Sequence, residues 1–185
     1  MTVKEILMLA CEFVGEGEIA QKVKNGETLN ESEQKKYESL LSCFNLVNQE
    51  IASDYLPNLT KESVTVFDGK IFFSTLSKNA THIYEVGNRF GMSLPFKNFS
   101  NYVEVGGQPK YVVYSFLPDE LGEDEVFEFY GGLSARILAY GIASEFLLVS
   151  GLGDEAEVWE ERFKESLFVL SRKRGEHRLP KRSWL

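Results

Sequence analysis

The sequence predicts an α+β fold: a bundle of about four helices, interrupted by a small antiparallel β insertion and ended by an extended C-terminal arm. Three observations carry this. Apolar residues recur at helical spacing in both the first and the last third of the chain. Residues 63–117 switch to short β-branched and aromatic runs between glycine-bearing turns, and the final dozen residues alternate basic with apolar side chains around Gly175 and Pro180. The expected organisation is a helical pair over 1–62, a β insertion over 63–118, a helical hairpin completing the bundle over 119–173, and a basic arm over 174–185.

The first helix is read from Val3, Ile6, Leu7, Ala10, Phe13 and Val14, and it ends at the Gly15/Gly17 pair. A polar stretch rich in Lys, Asn and Glu follows. Asn30 with Glu33 three residues later then forms a capping box for a second helix. Its buried stripe is Tyr37, Leu40, Leu41, Phe44, Val47 and Ile51, running to about Asp54 because Pro57 bars continuation. This helix is expected to pack on the first.

In the insertion, Val64-Thr65-Val66-Phe67, Asp68-Gly69 and Lys70-Ile71-Phe72-Phe73 read as a hairpin, since Asp-Gly supplies the positive φ angles of a two-residue turn. A second hairpin is expected between residues 102–105 and 111–116 across Gly106-Gly107-Gln108-Pro109, with a strand near 81–86. After the acidic link Asp119, Glu120, Glu123, Asp124 and Glu125 comes the most apolar helix. Between Leu133 and Ser150 its only charges are Arg136 and Glu145, so nearly every face needs cover within the bundle or against a neighbouring subunit. Gly141, Ala143 and Ser144 mark a close helix approach. Gly151 and Gly153 end this helix, Asp154 with Glu157 offers another capping box, and Ala156, Trp159, Phe163, Leu167 and Leu170 give the last helix its buried stripe. The short link makes the last two helices an antiparallel pair.

Bulk properties narrow the function. The 185 residues suit one core with an elaboration, and 43% hydrophobic with 26% charged residues argues for a folded chain. No uncharged apolar run is long enough to span a bilayer, and Glu5 and Glu12 break the brief likeness of the N-terminus to a signal peptide, so a protein made in a cytoplasm is expected. Cys11 and Cys43 sit among apolar helical positions without C-x-x-C spacing and read as buried free thiols. The net charge of −8 is unevenly spread: residues 171–185 hold six basic side chains against Glu176 alone, leaving an acidic body that repels phosphate.

No constellation for catalysis emerges, so neither an enzyme nor a cofactor or metal site is expected. His82 and His177 stand apart from each other and from any zinc-helix spacing. Gly15-x-Gly17-x-x-Ala20 follows a helix, whereas a dinucleotide loop needs a preceding strand. The acidic link lacks the alternating ligand pattern of a calcium loop and suits a solvated helix start. The tail is different, because arginines and a terminal tryptophan are the side chains that most often anchor interfaces. Arg174, Arg178, Leu179, Lys181, Arg182, Trp184 and Leu185 are the candidate partner-binding residues.

Three stretches carry a family resemblance: Asp68-Gly69-Lys70-Ile71 with Tyr111-Val-Val-Tyr114-Ser-Phe116-x-Pro118; Ser134-Ala-Arg136-Ile-Leu-Ala-Tyr140-Gly-Ile-Ala-Ser-Glu145-Phe leading through Gly151-Leu-Gly to Glu155-Ala-Glu-Val-Trp159-Glu-Glu-Arg162-Phe163; and Leu179-Pro-Lys181-Arg182-Ser-Trp184. With the order of elements, they resemble head–tail connector or adaptor (neck) proteins of tailed bacteriophages. The second and third look like uncharacterised neck proteins from phages of Gram-positive bacteria, and the overall plan is similar to the tail tubular or adaptor proteins of short-tailed phages.

The resemblance implies a virion structural protein at the head–tail junction, forming a ring of commonly about twelve copies below the portal protein. DNA would pass through the lumen without sequence-specific binding, helped by acidic walls, and the arm would dock on the portal or a neighbouring neck protein. A stopper or tail-completion protein is the alternative within this class. Outside it stands a cytoplasmic regulatory or small-ligand-binding domain, with an apolar pocket lined by Phe72, Tyr102 and Tyr114.

Overall fold

The computed structural model describes residues 1–174. The chain forms two units, one helical (residues 1–48 and 120 onward) and one β-rich (residues 49–119). No helix among the described residues is long and apolar enough to cross a membrane.

The helical unit opens with α1 (Val3–Phe13), where Thr2 and Glu5 form a reciprocal capping box: the Thr2 amide donates to Glu5 at 2.9 Å and the Glu5 amide to the Thr2 hydroxyl at 3.3 Å. The polar stretch that follows is not a loop. It holds a further helix, α2 (Gly17–Asn25), which buries Ile19, Ala20 and Val23 and ends on Gly26 in the left-handed region. Three apolar positions at i, i+1 and i+4 suffice for one buried face, although the Lys and Glu residues around them mask the pattern.

The expected capping box of the next helix, α3 (Glu31–Glu50), is present: Glu33 donates its amide to Asn30 Oδ1 at 3.0 Å, and the Asn30 amide donates to the Glu33 carboxylate at 2.9 Å. A π-helical turn (Ile51–Tyr55) extends α3 to the residues before Pro57, near the expected end.

The last two helices are α4 (Ala135–Val149) and α5 (Gly153–Arg174). The α4 start is capped by Ser134, whose hydroxyl accepts from the Ile137 amide. Its end closes through Gly151, at φ 80, with the Gly151 amide donating to the Leu148 carbonyl and the Leu152 amide to the Leu147 carbonyl. This pairing satisfies two terminal carbonyls and turns the chain sharply into α5. Asp154 lies inside the first turn of α5 rather than ahead of it, so the capping box expected from Asp154 and Glu157 is replaced by acidic side chains facing the positive end of the helix dipole. Ala156, Phe163 and Leu167 are buried and Trp159 and Leu170 half-buried, which is the expected stripe. Burying Phe163 and Leu167 contributes about 1.5–3 kcal/mol each. The Ser144 hydroxyl donates to the Ala156 carbonyl at 3.2 Å, tying the antiparallel pair. The backbone of α1 runs closest to α4 and α2. Phe13, Tyr140 and Trp159 form a three-ring cluster, with Phe13 5.4 Å from Tyr140 and 4.9 Å from Trp159, and Tyr140 5.6 Å from Trp159, centroid to centroid.

The β-rich unit contains two three-stranded antiparallel sheets where one was expected. Its strands are β1 (Asn58–Ser63), β2 (Lys70–Phe72), β3 (Ala80–Gly87), β4 (Phe96–Asn98), β5 (Tyr102–Val105) and β6 (Tyr111–Phe116). One sheet has the order β1-β6-β3, the other β2-β5-β4.

The Asp68-Gly69 turn forms as expected, with both residues at positive φ (51 and 71) and Phe67 and Lys70 exchanging backbone hydrogen bonds of 2.9 Å. The strand expected at 64–67 lies earlier, at Asn58–Ser63: the Val64 amide still donates to the Lys110 carbonyl at 3.1 Å, residues 65 and 66 leave the ladder, and β2 takes β5 as its partner, with Ile71 opposite Val103. The second expected hairpin is also corrected. Strands β5 and β6 lie where expected but join different sheets, since β6 pairs with β1 and β3 and β5 with β2 and β4. Both sheets send side chains into one core of Ile71, Ile83, Val86, Val103, Val105, Val112 and Tyr114. A plain hairpin across residues 106–109 would have kept β5 and β6 in one sheet, whereas two sheets enclose that core from both sides.

Candidate interaction surfaces

Of the residues the sequence nominates for partner binding, Arg174 is the last residue of α5, where the arm was expected to begin. Arg178, Leu179, Lys181, Arg182, Trp184 and Leu185 lie outside the described residues.

The structure adds a surface that sequence reasoning missed. At the elbow joining α4 to α5, Leu148 is 58% exposed, Val149 71%, Leu152 45% and Val158, one turn into α5, 51%. Asp154, Glu155, Glu157 and Glu161 are exposed around this end. The apolar excess of α4 is thus only partly absorbed by its own unit. Leu138, Ala139, Gly141, Ile142, Ala143, Phe146 and Leu147 are buried, while Leu148 and Val149 at the end of the helix face solvent. Farther along α5, Phe168 and Val169 are exposed, with the Arg172 guanidinium 5.3 Å from the Phe168 ring. Single exposed apolar side chains are ordinary, but a cluster at one end of a hairpin, rimmed by charge, is the form an interface takes.

A second surface lies on the outer face of the β2-β5-β4 sheet. Phe72 stands opposite Tyr102 in register, with ring centroids 5.8 Å apart, and Phe99 stacks on Tyr102 at 4.7 Å. Lys70 and Lys97 flank Glu104 on the same face, by register. The apolar pocket of Phe72, Tyr102 and Tyr114 is not assembled. Tyr114 is fully buried, its hydroxyl accepting the Lys78 amide at 3.2 Å, whereas Phe72 points into solvent. A shallow cavity of about 330 Å³ lies nearby, lined by Pro95, Phe96, Lys97, Glu104, Val105 and Gly106.

The remaining reactive groups are placed for structure. Cys11 and Cys43 are buried, as expected, and burial pushes their thiols up to about 12 and about 11, with the charges of Glu16 and Glu12 adding to Cys11 and that of Glu145 to Cys43. His82 is exposed, its ring edge-on to Tyr84 at 4.9 Å. The acidic link serves the backbone: Glu125 and Glu123 accept the Val3 and Lys4 amides through their carbonyls at 2.9 and 2.8 Å. Among the described residues no three His, Cys, Asp or Glu side chains gather as a metal cage requires. Burial and then the neighbouring Glu123 raise the Tyr37 hydroxyl well above the ordinary tyrosine range, keeping it protonated beside a cavity of about 290 Å³.

No protein-family model matches this chain, and comparison with curated proteins finds no match.

Proposed function

We propose that this chain is a virion structural protein of a tailed bacteriophage, a head–tail connector or adaptor that forms a ring beneath the portal, made in the host cytoplasm and incorporated at the head–tail junction. Its work is fitting against other polypeptides, and it transforms no substrate. The observation that carries the reading is the α4–α5 hairpin: it packs its small-residue seam tightly, yet leaves Leu148, Val149, Leu152 and Val158 in solvent and continues into a basic segment ending Trp184-Leu185. Large apolar side chains beside charge on one element, and arginine with tryptophan on another, are the two halves of an interface. A ring closes when two different patches of the same chain match, which a hairpin with dissimilar ends supports. The family resemblance in the sequence supports the same reading.

The test is to mix the purified protein with the cognate portal ring and image the product by electron microscopy, alongside a version ending at Arg174. The intact chain is expected to decorate the portal as a coaxial ring, and the shortened one to decorate it poorly. A portal left bare by the intact chain overturns the connector reading; equal decoration by both versions removes the arm from it.

A further inference from the structure

We propose that the α4–α5 elbow of one copy receives the C-terminal segment, residues 175–185, of a second copy, joining chains head to tail. This rests on the reading of the protein as self-assembling. The elbow offers Leu148, Val149, Leu152 and Val158 to solvent and is rimmed by Asp154, Glu155, Glu157 and Glu161. The segment has the matching composition with opposite charge: Arg178, Lys181 and Arg182 interleaved with Leu179, Trp184 and Leu185. Each sign of charge and each apolar set on one side has its counterpart on the other, the arrangement that steers partners and fixes their register.

Length decides between the chain's own elbow and that of a neighbour. Helix α5 has 22 residues and so runs about 33 Å from the elbow to Arg174. The eleven residues beyond it span at most about 36–40 Å when fully extended. To reach its own elbow the segment would have to reverse at Arg174 and run back almost taut, which would bring only Trp184 and Leu185 to the site and leave Arg178 far from the acidic rim. A neighbouring copy carries no such restriction. Donor and receiver are different surfaces, so the contact is heterologous and repeats from copy to copy, which is the symmetry a ring needs.

Three full-length proteins test this by sedimentation velocity over a concentration series. One carries Glu157→Lys and Glu161→Lys, a second Arg178→Glu, Lys181→Glu and Arg182→Glu, and a third all five changes; circular dichroism confirms that each is folded. The unchanged protein is expected to self-associate, and to do so at least about tenfold more weakly when salt rises from about 50 to about 500 mM. The first two variants should each lose association by at least about tenfold, and the third should recover it. Mixing the first two in equal amounts should restore association to about the unchanged level, because the intact segment of the first meets the intact elbow of the second, the reversed segment of the second meets the reversed elbow of the first, and the two proteins alternate.

A mixture of the first two variants that associates no better than either alone would mean that segment and elbow do not meet between copies, and overturns the proposal. So does an unchanged protein that stays monomeric at low salt. Decoration of the portal is scored separately. Portal rings with failed mixing sink the elbow contact alone, and mixed assemblies with a bare portal sink the connector reading alone.

Discussion

A Cβ atom added to Gly141 would stand 2.9 Å from the ring of Phe163, and 2.8 Å from Val47 Cγ1. This absence of a side chain is what lets α3 and α5 both close on α4.

Gly141→Ala is therefore expected to destabilise the helical unit despite its better helix propensity. Overpacking costs about 1–3 kcal/mol and the propensity gain returns about 1 kcal/mol at most. The net loss should lower the melting temperature by a few degrees, roughly 2–4 °C for each kcal/mol in a chain of this size. Pairing it with Phe163→Leu should recover part of the loss, and additive effects in thermal melts would refute the contact.

The two thiols should be silent in the native protein. Ellman's reagent at about pH 8 is expected to label neither Cys11 nor Cys43 until denaturant is added, because both are buried and burial favours the neutral thiol. The sign of the pH dependence follows. A group whose folded pKa is raised stabilises fully below its unfolded value, about 8.5 here, and loses that contribution as pH climbs toward the folded value. Stability should fall above about pH 8.5 by up to about 1.4 kcal/mol per pH unit for each thiol. Cys11→Ala should flatten that slope in denaturant titrations; an unchanged slope would count against it.

The Asp68-Gly69 turn should tolerate asparagine and reject alanine. Asp68→Asn keeps a residue suited to positive φ and is expected to change stability by less than about 0.5 kcal/mol. Gly69→Ala places a Cβ at φ 71 and should cost about 1–2 kcal/mol. Because the Gly69 carbonyl accepts the Val105 amide at 2.8 Å, faster amide exchange along β5 is the readout.

At the start of α3, Asn30→Ala should cost about 1 kcal/mol, the usual worth of an N-cap. Glu33 does more than complete that cap. Its carboxylate accepts from Lys22 at 2.7 Å and from the Asn30 amide, and these bonds hold its pKa below the usual carboxylate range. A depressed carboxyl contributes stability above its unfolded pKa, near 4.3, and loses it as pH falls through the folded value. Glu33→Gln should therefore melt lower than the unchanged protein at neutral pH, and the gap should narrow in acid. A constant gap from neutral pH into acid would contradict this.

Helices α1, α3, α4 and α5 were legible because each repeats its apolar residues over three turns or more. Helix α2 was not: three buried residues in a Lys- and Glu-rich stretch give too little periodicity, and the burial that stabilises it comes from the rest of its unit. Strands β2, β3, β5 and β6 were foreshadowed in the sequence, but β1, β4 and the strand partners were not. Pairing Asn58 with Phe116, or Ile71 with Val103, spans tens of residues, and only the shared core selects those registers. The elbow escaped notice because Leu148 and Val149 continue an apolar run whose earlier members are buried, and composition cannot tell these two from those before them. The arm's chemistry was plain in its arginines and tryptophan, while the surface that would receive it required the fold.

The helical unit is written in two instalments, residues 1–48 and 120 onward, with the β-rich unit between them. Val3 and Lys4 donate to the carbonyls of Glu125 and Glu123, and the Asn45 side chain both donates to and accepts from the Leu121 backbone, at 3.1 and 2.9 Å. During synthesis the opening helices must wait, with their greasy sides uncovered, until the ribosome has finished everything up to α5. The β-rich unit is complete as soon as Asp119 emerges, so the part encoded in the middle is the first able to fold.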